Sequence, residues 1–179
     1  ENGIDPARMR VSMADDEFSV ALGHPAVARK VYLLLKRLGA CHTVRFERRR
    51  SQGHVRGYLV KATPLKSLLA HVDEVIGVDL YSVGLTENDD HLRAYLRGAY
   101  LARGSLSTPA KTYHMEIAIE DPNVAESVVA AFRNFDLEPR ISRRKGTHVV
   151  YLKESEGIGD ALRLMGAYAA VLELENVRI

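Results

Sequence analysis

The sequence predicts an α+β protein built from two similar halves, each with helices packed on one face of an antiparallel sheet. Three observations carry that expectation. A strand, a proline and a helix occur twice in the same order, as "FSVALGHPAVARKVYLLLKRLG" at 18–39 and "MEIAIEDPNVAESVVAAFRNFD" at 115–136, and Pro25 and Pro122 lie 97 residues apart. Each copy is followed by two strand-like runs joined through a basic, glycine-containing turn. Each of those hairpins leads into another helical segment, so periods of 2 and 3.6 alternate identically in both halves.

Taken in order, Met9, Val11 and Met13 alternate with Arg8, Arg10 and Ser12, which predicts a strand before the first core helix. In that helix Val27, Val31, Leu34, Leu35 and Leu38 share one face, and the 97-residue offset carries them onto Val124, Val128, Ala131, Phe132 and Phe135. Helical spacing alone does not set where the phase begins, so a match at every apolar position argues for duplication. The first hairpin joins "CHTVRFE" to "HVRGYLVKA" through Arg48-Arg49-Arg50-Ser51-Gln52-Gly53. The second joins "EPRIS" to "THVVYLK" through Arg143-Arg144-Lys145-Gly146. The helices that follow are "TPLKSLLAHV", with Thr63 as cap and Pro64 in its first turn, and "GIGDALRLMGAYAAVL". Before the second core helix, Tyr113, Met115, Ile117 and Ile119 alternate with His114, Glu116 and Ala118. The halves are expected at 1–72 and 90–179, with 73–89 as the connection, in one pseudo-symmetric domain with its two sheets side by side.

Between the halves, "DHLRAYLRGAYLAR" (90–103) has helical phase, with Thr86, Asn88 and Asp89 as candidate caps and Gly104 as its stop. Leu92, Leu96, Ala99 and Tyr100 form its apolar face. Beside it Ala94, Gly98 and Ala102 form a stripe of small residues at four-residue spacing. Small residues let two helix backbones approach closely, and that contact would offset the roughly 1 kcal/mol cost of a mid-helix glycine. The plain alternative is an Ala-rich helix with no such partner.

Composition narrows the function. Twenty-five Lys and Arg against 23 Asp and Glu give a net charge of +2, so no whole-molecule field demands a nucleic-acid partner. A single cysteine, Cys41, cannot form an internal disulfide and fits a reducing compartment. No apolar run approaches the roughly 18 residues of a membrane span. The seven histidines include no HExxH, the glycines form no phosphate loop, and Cys41 with His42 reads as an ordinary strand pair. No cofactor or metal is expected.

"LRGAYLARG" (96–104) resembles the nine-residue motif of the LAGLIDADG homing endonucleases, keeping Leu96, Gly98, Ala102 and Gly104. The element order resembles their αββαββα repeat. More narrowly, "AYLRGAYLARGSLSTPAKTYHMEI", "RRKGTHVVYLKESEGI" and "LELENVRI" together resemble the WhiA family of bacterial sporulation and cell-division regulators, strongly over the second half and more weakly over the first. The resemblance implies a degenerate, endonuclease-like domain whose two antiparallel sheets form a saddle with the helices on one face. It also implies a cytoplasmic, nucleoid-associated bacterial protein, monomeric, joined elsewhere to a helix-turn-helix domain. In this pattern each half begins with a motif helix. The 97-residue offset would place the first motif helix largely ahead of Glu1, and the helix-turn-helix domain is not expected in the chain.

Active family members carry an acidic residue at the foot of each paired helix, where it binds a divalent cation. Here the matching position is Arg103, which offers donors only and repels such a cation, so the resemblance implies a fold without nuclease activity. The family lays its saddle along double-stranded DNA. By that analogy Arg48, Arg49, Arg50, Arg143, Arg144 and Lys145 are candidate DNA contacts, with Arg45, Arg56 and Arg140 beside them. Two solvated basic turns explain the same residues equally well. A protein-interaction scaffold is the competing reading, favoured by the near-neutral charge and by Glu116, Glu120 and Asp121 near the second sheet.

Overall fold

A computed structural model of the chain describes residues 10–76, 88–107, 113–144 and 146–176. Met9, Thr86 and Lys145, which the expectations above invoke, lie outside them. The chain divides into two units, Glu1–Ser82 and Val83–Ile179. Unit 1 contains β1 (Arg10–Ala14), β2 (Glu17–Leu22), α1 (Pro25–Leu38), β3 (Thr43–Ser51), β4 (His54–Thr63) and α2 (Leu65–Ile76), with sheet order β1-β2-β4-β3. Unit 2 contains α3 (Asp89–Arg103), β5 (Gly104–Ser107), β6 (His114–Ile119), α4 (Pro122–Arg133), β7 (Arg140–Arg144), β8 (Thr147–Leu152), α5 (Ser155–Leu164) and α6 (Tyr168–Asn176), with sheet order β5-β6-β8-β7. Every strand pair is antiparallel, and the two sheets share one topology.

The repeated starts of α1 and α4 follow from their caps. His24 Nδ1 accepts from the Ala26 amide, and Asp121 Oδ1 accepts from Asn123 at 2.7 Å and Val124 at 3.3 Å, with proline in the first turn of each helix. Asn88 caps α3 by accepting from Asp90 and His91, while Asp89 and Asp90 face the positive end of the helix dipole. Thr63 does not cap α2. It pairs with Thr43 in the sheet, and the free amides of Leu65 and Lys66 donate to the carbonyl and carboxylate of Asp16 in the β1–β2 turn. Residues 73–76, expected in the connection, belong to α2.

The closing segment is two helices rather than one. Gly166 takes φ of +73°, the Ala167 amide donates to the Leu162 carbonyl and the Gly166 amide to that of Arg163, a Schellman stop that ends α5 before α6 begins. The arginines placed in turns are mostly in strands. Arg48, Arg49 and Arg50 continue the β3 ladder, and the reversal itself is made by Gln52 and Gly53, both with positive φ. Cys41 and His42, read as strand residues, precede the start of β3.

The core of unit 2 gathers Leu92, Leu96, Met115, Ile117, Val128, Phe132, Val150 and Ile158; that of unit 1 gathers Val20, Leu22, Ala28, Leu35, Val60, Ala62 and Leu68. The expected apolar faces hold on α4, where Val128, Ala131 and Phe132 are buried. On α1 they hold only in part, because Leu34 and Leu38 remain 49% and 39% exposed, whereas Ala28 is fully buried. The difference lies in the second layer that unit 2 has over α4. In unit 2, α3 packs on α4 and Arg93 of α3 lies over the Phe135 ring at 5.1 Å; among the described residues unit 1 has no such helix.

Candidate nucleic-acid interface

Strand alternation decides which arginines share a surface. Directly opposed residues of an antiparallel ladder project to the same side. In unit 1, Val44 faces Ala62 and Phe46 faces Val60 on the helix-covered side, and Arg48 faces Tyr58 on that same side. Arg45, opposite Lys61, and Arg49, opposite Gly57, therefore emerge on the opposite face, which no described helix covers and which is termed the helix-free side. In unit 2, Ile141 opposite buried Val150 marks the helix-covered side, which Arg143 shares, whereas Arg140 opposite Tyr151 and Arg144 opposite Thr147 emerge on the helix-free side. Arg45 and Arg140 thus hold one ladder position in the two units, and Arg49 and Arg144 hold another. All four are exposed. Arg50, also exposed, follows the irregularity in the ladder between Arg49 and Arg50. Lys145 and the Arg56 side chain lie outside what the structure describes.

Carboxylates temper this basic surface. Lys61 pairs with Glu17 at 2.8 Å. In unit 2 Glu116, on an interior strand of the sheet, accepts from His114 Nε2 at 2.9 Å and from Ser105 Oγ at 3.4 Å, and Arg144 Nη1 stands 3.8 Å away. The His114 ring lies 5.5 Å from that of Tyr151, over which the Lys153 ammonium sits at 5.2 Å. The sequence flagged Glu116 only as an acid near the second sheet. Its place at the centre of this cluster follows from its outward position on β6 opposite Ser105 and Tyr151.

Arg103 ends α3, where a cation suits the negative end of the helix dipole, and reaches Glu120 at 3.5 Å. Gly104 follows without a loop, because α3 runs directly into β5; a Cβ there would collide with the Tyr100 ring and carbonyl. Of the small-residue stripe, Ala94 and Gly98 are exposed and Ala102 is half-buried, while Leu92 and Leu96 face the core of unit 2. A Cβ on Gly98 would meet no described atom within 4 Å. Burial pushes the Cys41 thiol pKa up, the opposite of what a thiolate nucleophile requires. Among the described residues no three His, Cys, Asp or Glu side chains gather at metal-ligand spacing, and no helix is long and apolar enough to cross a membrane.

Residues 92–179 match the family model of the WhiA LAGLIDADG-like domain. A "Probable cell division protein WhiA" of Clostridium botulinum (strain Hall) is 34% identical over 174 residues, which cover 90% of this chain and 55% of that protein. Its namesake in Moorella thermoacetica is 41% identical over 157 residues, covering 87% of this chain and 47% of that protein. The chain belongs to the WhiA family. It spans about half the length of the WhiA relatives it matches, as those shares show. Among solved structures, full-length DUF199/WhiA from Thermatoga maritima aligns with a TM-score of 0.71 at 19% identity, over 98% of this chain and 56% of that one. The N-terminal LAGLIDADG domain of DUF199/WhiA aligns at 0.67 and 20% identity, over 92% and 77%. I-DmoI in complex with DNA and Mn aligns at 0.56 and 14% identity, over 88% and 87%. These likenesses establish the LAGLIDADG homing-endonuclease-like fold for this WhiA chain, with its two antiparallel sheets.

Proposed function

We propose that the chain is the non-catalytic, endonuclease-derived part of a DNA-binding transcriptional regulator acting in sporulation or in cell division and chromosome segregation, and that it touches double-stranded DNA itself. The observation that carries this reading is the repeated placement of two arginines, Arg45 and Arg49 in one unit and Arg140 and Arg144 in the other, on the helix-free face of each sheet. Arginine binds phosphate oxygens through a planar fork and pairs bidentately with guanine O6 and N7. Arg48, Arg50 and Arg143, exposed near the hairpin ends, add phosphate contacts at the sheet margin, and Lys145, next to Arg144 in the sequence, is proposed with them. The WhiA names of the relatives support the cellular role, and the complex of I-DmoI with DNA supports the kind of partner. Arg103 at the foot of α3, tied to Glu120, supports a chain without nuclease chemistry.

Fluorescence anisotropy of the chain on a DNA duplex across a salt series tests the contact. Each neutralised phosphate contributes about −0.9 to the slope of log affinity against log salt, so Arg45→Glu with Arg49→Glu should flatten that slope by about 2. Arg140→Glu with Arg144→Glu should do the same. An unchanged slope removes the sheet faces from the DNA contact. Specific nicking with magnesium or manganese that an Arg103 substitution abolishes would overturn the non-catalytic reading.

A protein-interaction scaffold is the second reading, and the exposed Leu33, Leu34 and Leu38 on α1 favour it. Under it, DNA affinity resides elsewhere in the protein and the wild-type chain binds no duplex in the same titration.

A further inference from the structure

Resting on the reading of the unit 2 sheet as a DNA-contacting face, we infer that Glu116 and Arg144 act together as the reader of one C·G base pair in the major groove. The pair stands on the helix-free side, Glu116 on an interior strand and Arg144 on the edge strand β7, with Glu116 Oε2 and Arg144 Nη1 3.8 Å apart. Glu116 is held rather than free. His114 Nε2 meets its Oε2 at 2.9 Å, Ser105 Oγ donates to its Oε1 at 3.4 Å, and its side chain is 28% exposed. A carboxylate has about four acceptor sites, so these partners orient it and leave acceptor capacity toward the open side of the sheet.

The chemistry of the pair selects its ligand. A carboxylate repels phosphate, so the one interior acid of this cluster is poorly suited to the DNA backbone and suited to a base edge. In the major groove, guanine presents only acceptors, thymine an acceptor and a methyl, and adenine a donor beside the N7 acceptor that a carboxylate repels. Cytosine N4 presents a donor alone. The guanine paired with it presents O6 and N7, the pattern that an arginine fork matches. An acceptor and a donor fork side by side are therefore complementary to C·G and mismatched to the other pairs. Unit 1 does not repeat the interior acid, since the 97-residue offset places Ser19 where unit 2 has Glu116; its acid on that face, Glu47, stands on the edge strand between Arg45 and Arg49.

Selection of the chain on a randomised duplex library, with anisotropy on the enriched sequence, tests this. The wild type should enrich one C·G column. Glu116→Gln should move that column toward A·T, because glutamine pairs bidentately with adenine N6 and N7, and should cut discrimination for C·G at least fivefold, the lower end of what a good base contact gives. Glu120→Gln removes the same charge beside Arg103 and should raise affinity for every duplex without altering any column. Circular dichroism melts would check that both variants fold. If Glu116→Gln raises affinity uniformly and leaves all columns in place, Glu116 is only a counter-ion of Arg144 and the inference falls, while the DNA-contact reading stands. If the wild type binds no duplex at any salt concentration, the DNA-contact reading itself fails and takes the inference with it.

Discussion

Leu34 on α1 and Ala131 on α4 stand at the same place in the two halves, and their surroundings differ. Leu34 is 49% exposed and Ala131 is fully buried. Both helices lay one face on their own sheet, through Ala28 and Leu35 in unit 1 and through Ala125, Val128 and Phe132 in unit 2. Among the described residues only α4 has a second layer, because α3 packs against it and carries Leu92 and Leu96 into the core. Full burial of a leucine is worth about 1.5–3 kcal/mol, so a half-exposed Leu34 forgoes a substantial part of that gain. Helical periodicity sets the phase of a helix on its sheet. Whether the flank beyond that contact is covered depends on an element outside the repeated segment.

The largest effect should come from removing that second layer in unit 2. Leu96 is fully buried between α3 and the core, and Leu96→Ala should cost about 2–5 kcal/mol, read as a fall in the urea midpoint. A cost below about 1 kcal/mol would show that α3 contributes little to the unit 2 core.

A matched pair of substitutions gives a middle-sized effect and tests the comparison directly. Ala131→Gln forces an amide into a space that is closed and apolar, and should cost about 2 kcal/mol or more from overpacking and an unmet hydrogen-bonding group. Leu34→Gln, at the counterpart position, should cost less, about 1 kcal/mol, because half of the side chain already faces water. Equal losses at the two positions would mean that the α1 flank is covered in solution.

The legible part of the fold is the part set by local pattern. The 97-residue repeat, the strands other than β5, the start of α1 at His24-Pro25 and that of α4 at Asp121-Pro122 all follow from capping chemistry and alternation, whereas the four-residue β5 (Gly104–Ser107) is too short to show a pattern of its own. What escaped notice depends on distant partners. Asp16 caps α2 from a turn 49 residues before Leu65, and no local signal competes with Thr63-Pro64 as the apparent start. Gly166 divides α5 from α6 by adopting a positive φ, although glycine is also tolerated inside helices, as Gly98 is in α3. At the interface, the basic runs were visible in the sequence. The alternation that separates Arg49 from Arg48, and Arg144 from Arg143, needed the register of each ladder. The His114–Glu116–Arg144 cluster required three residues from two strands to be brought to one face.

The smallest effect concerns the small-residue stripe of α3, and its sign is the informative quantity. Glycine inside a helix costs up to about 1 kcal/mol relative to alanine, because the unfolded chain loses more conformational freedom there. At Gly98 an added methyl would meet no described atom within 4 Å, and the residue is exposed. Gly98→Ala should therefore stabilise the chain by roughly 0.5–1 kcal/mol, raising its melting temperature by a few degrees. If another helix closes on the Ala94–Gly98–Ala102 stripe in solution, the same methyl would hold the two backbones apart and lower the melting temperature instead. A rise would mark the stripe as a solvated face of α3, and a fall would mark it as a packing seam. The outcome separates two origins for the asymmetry between α1 and α4: a helix that serves its own unit alone, or one that also serves a neighbour.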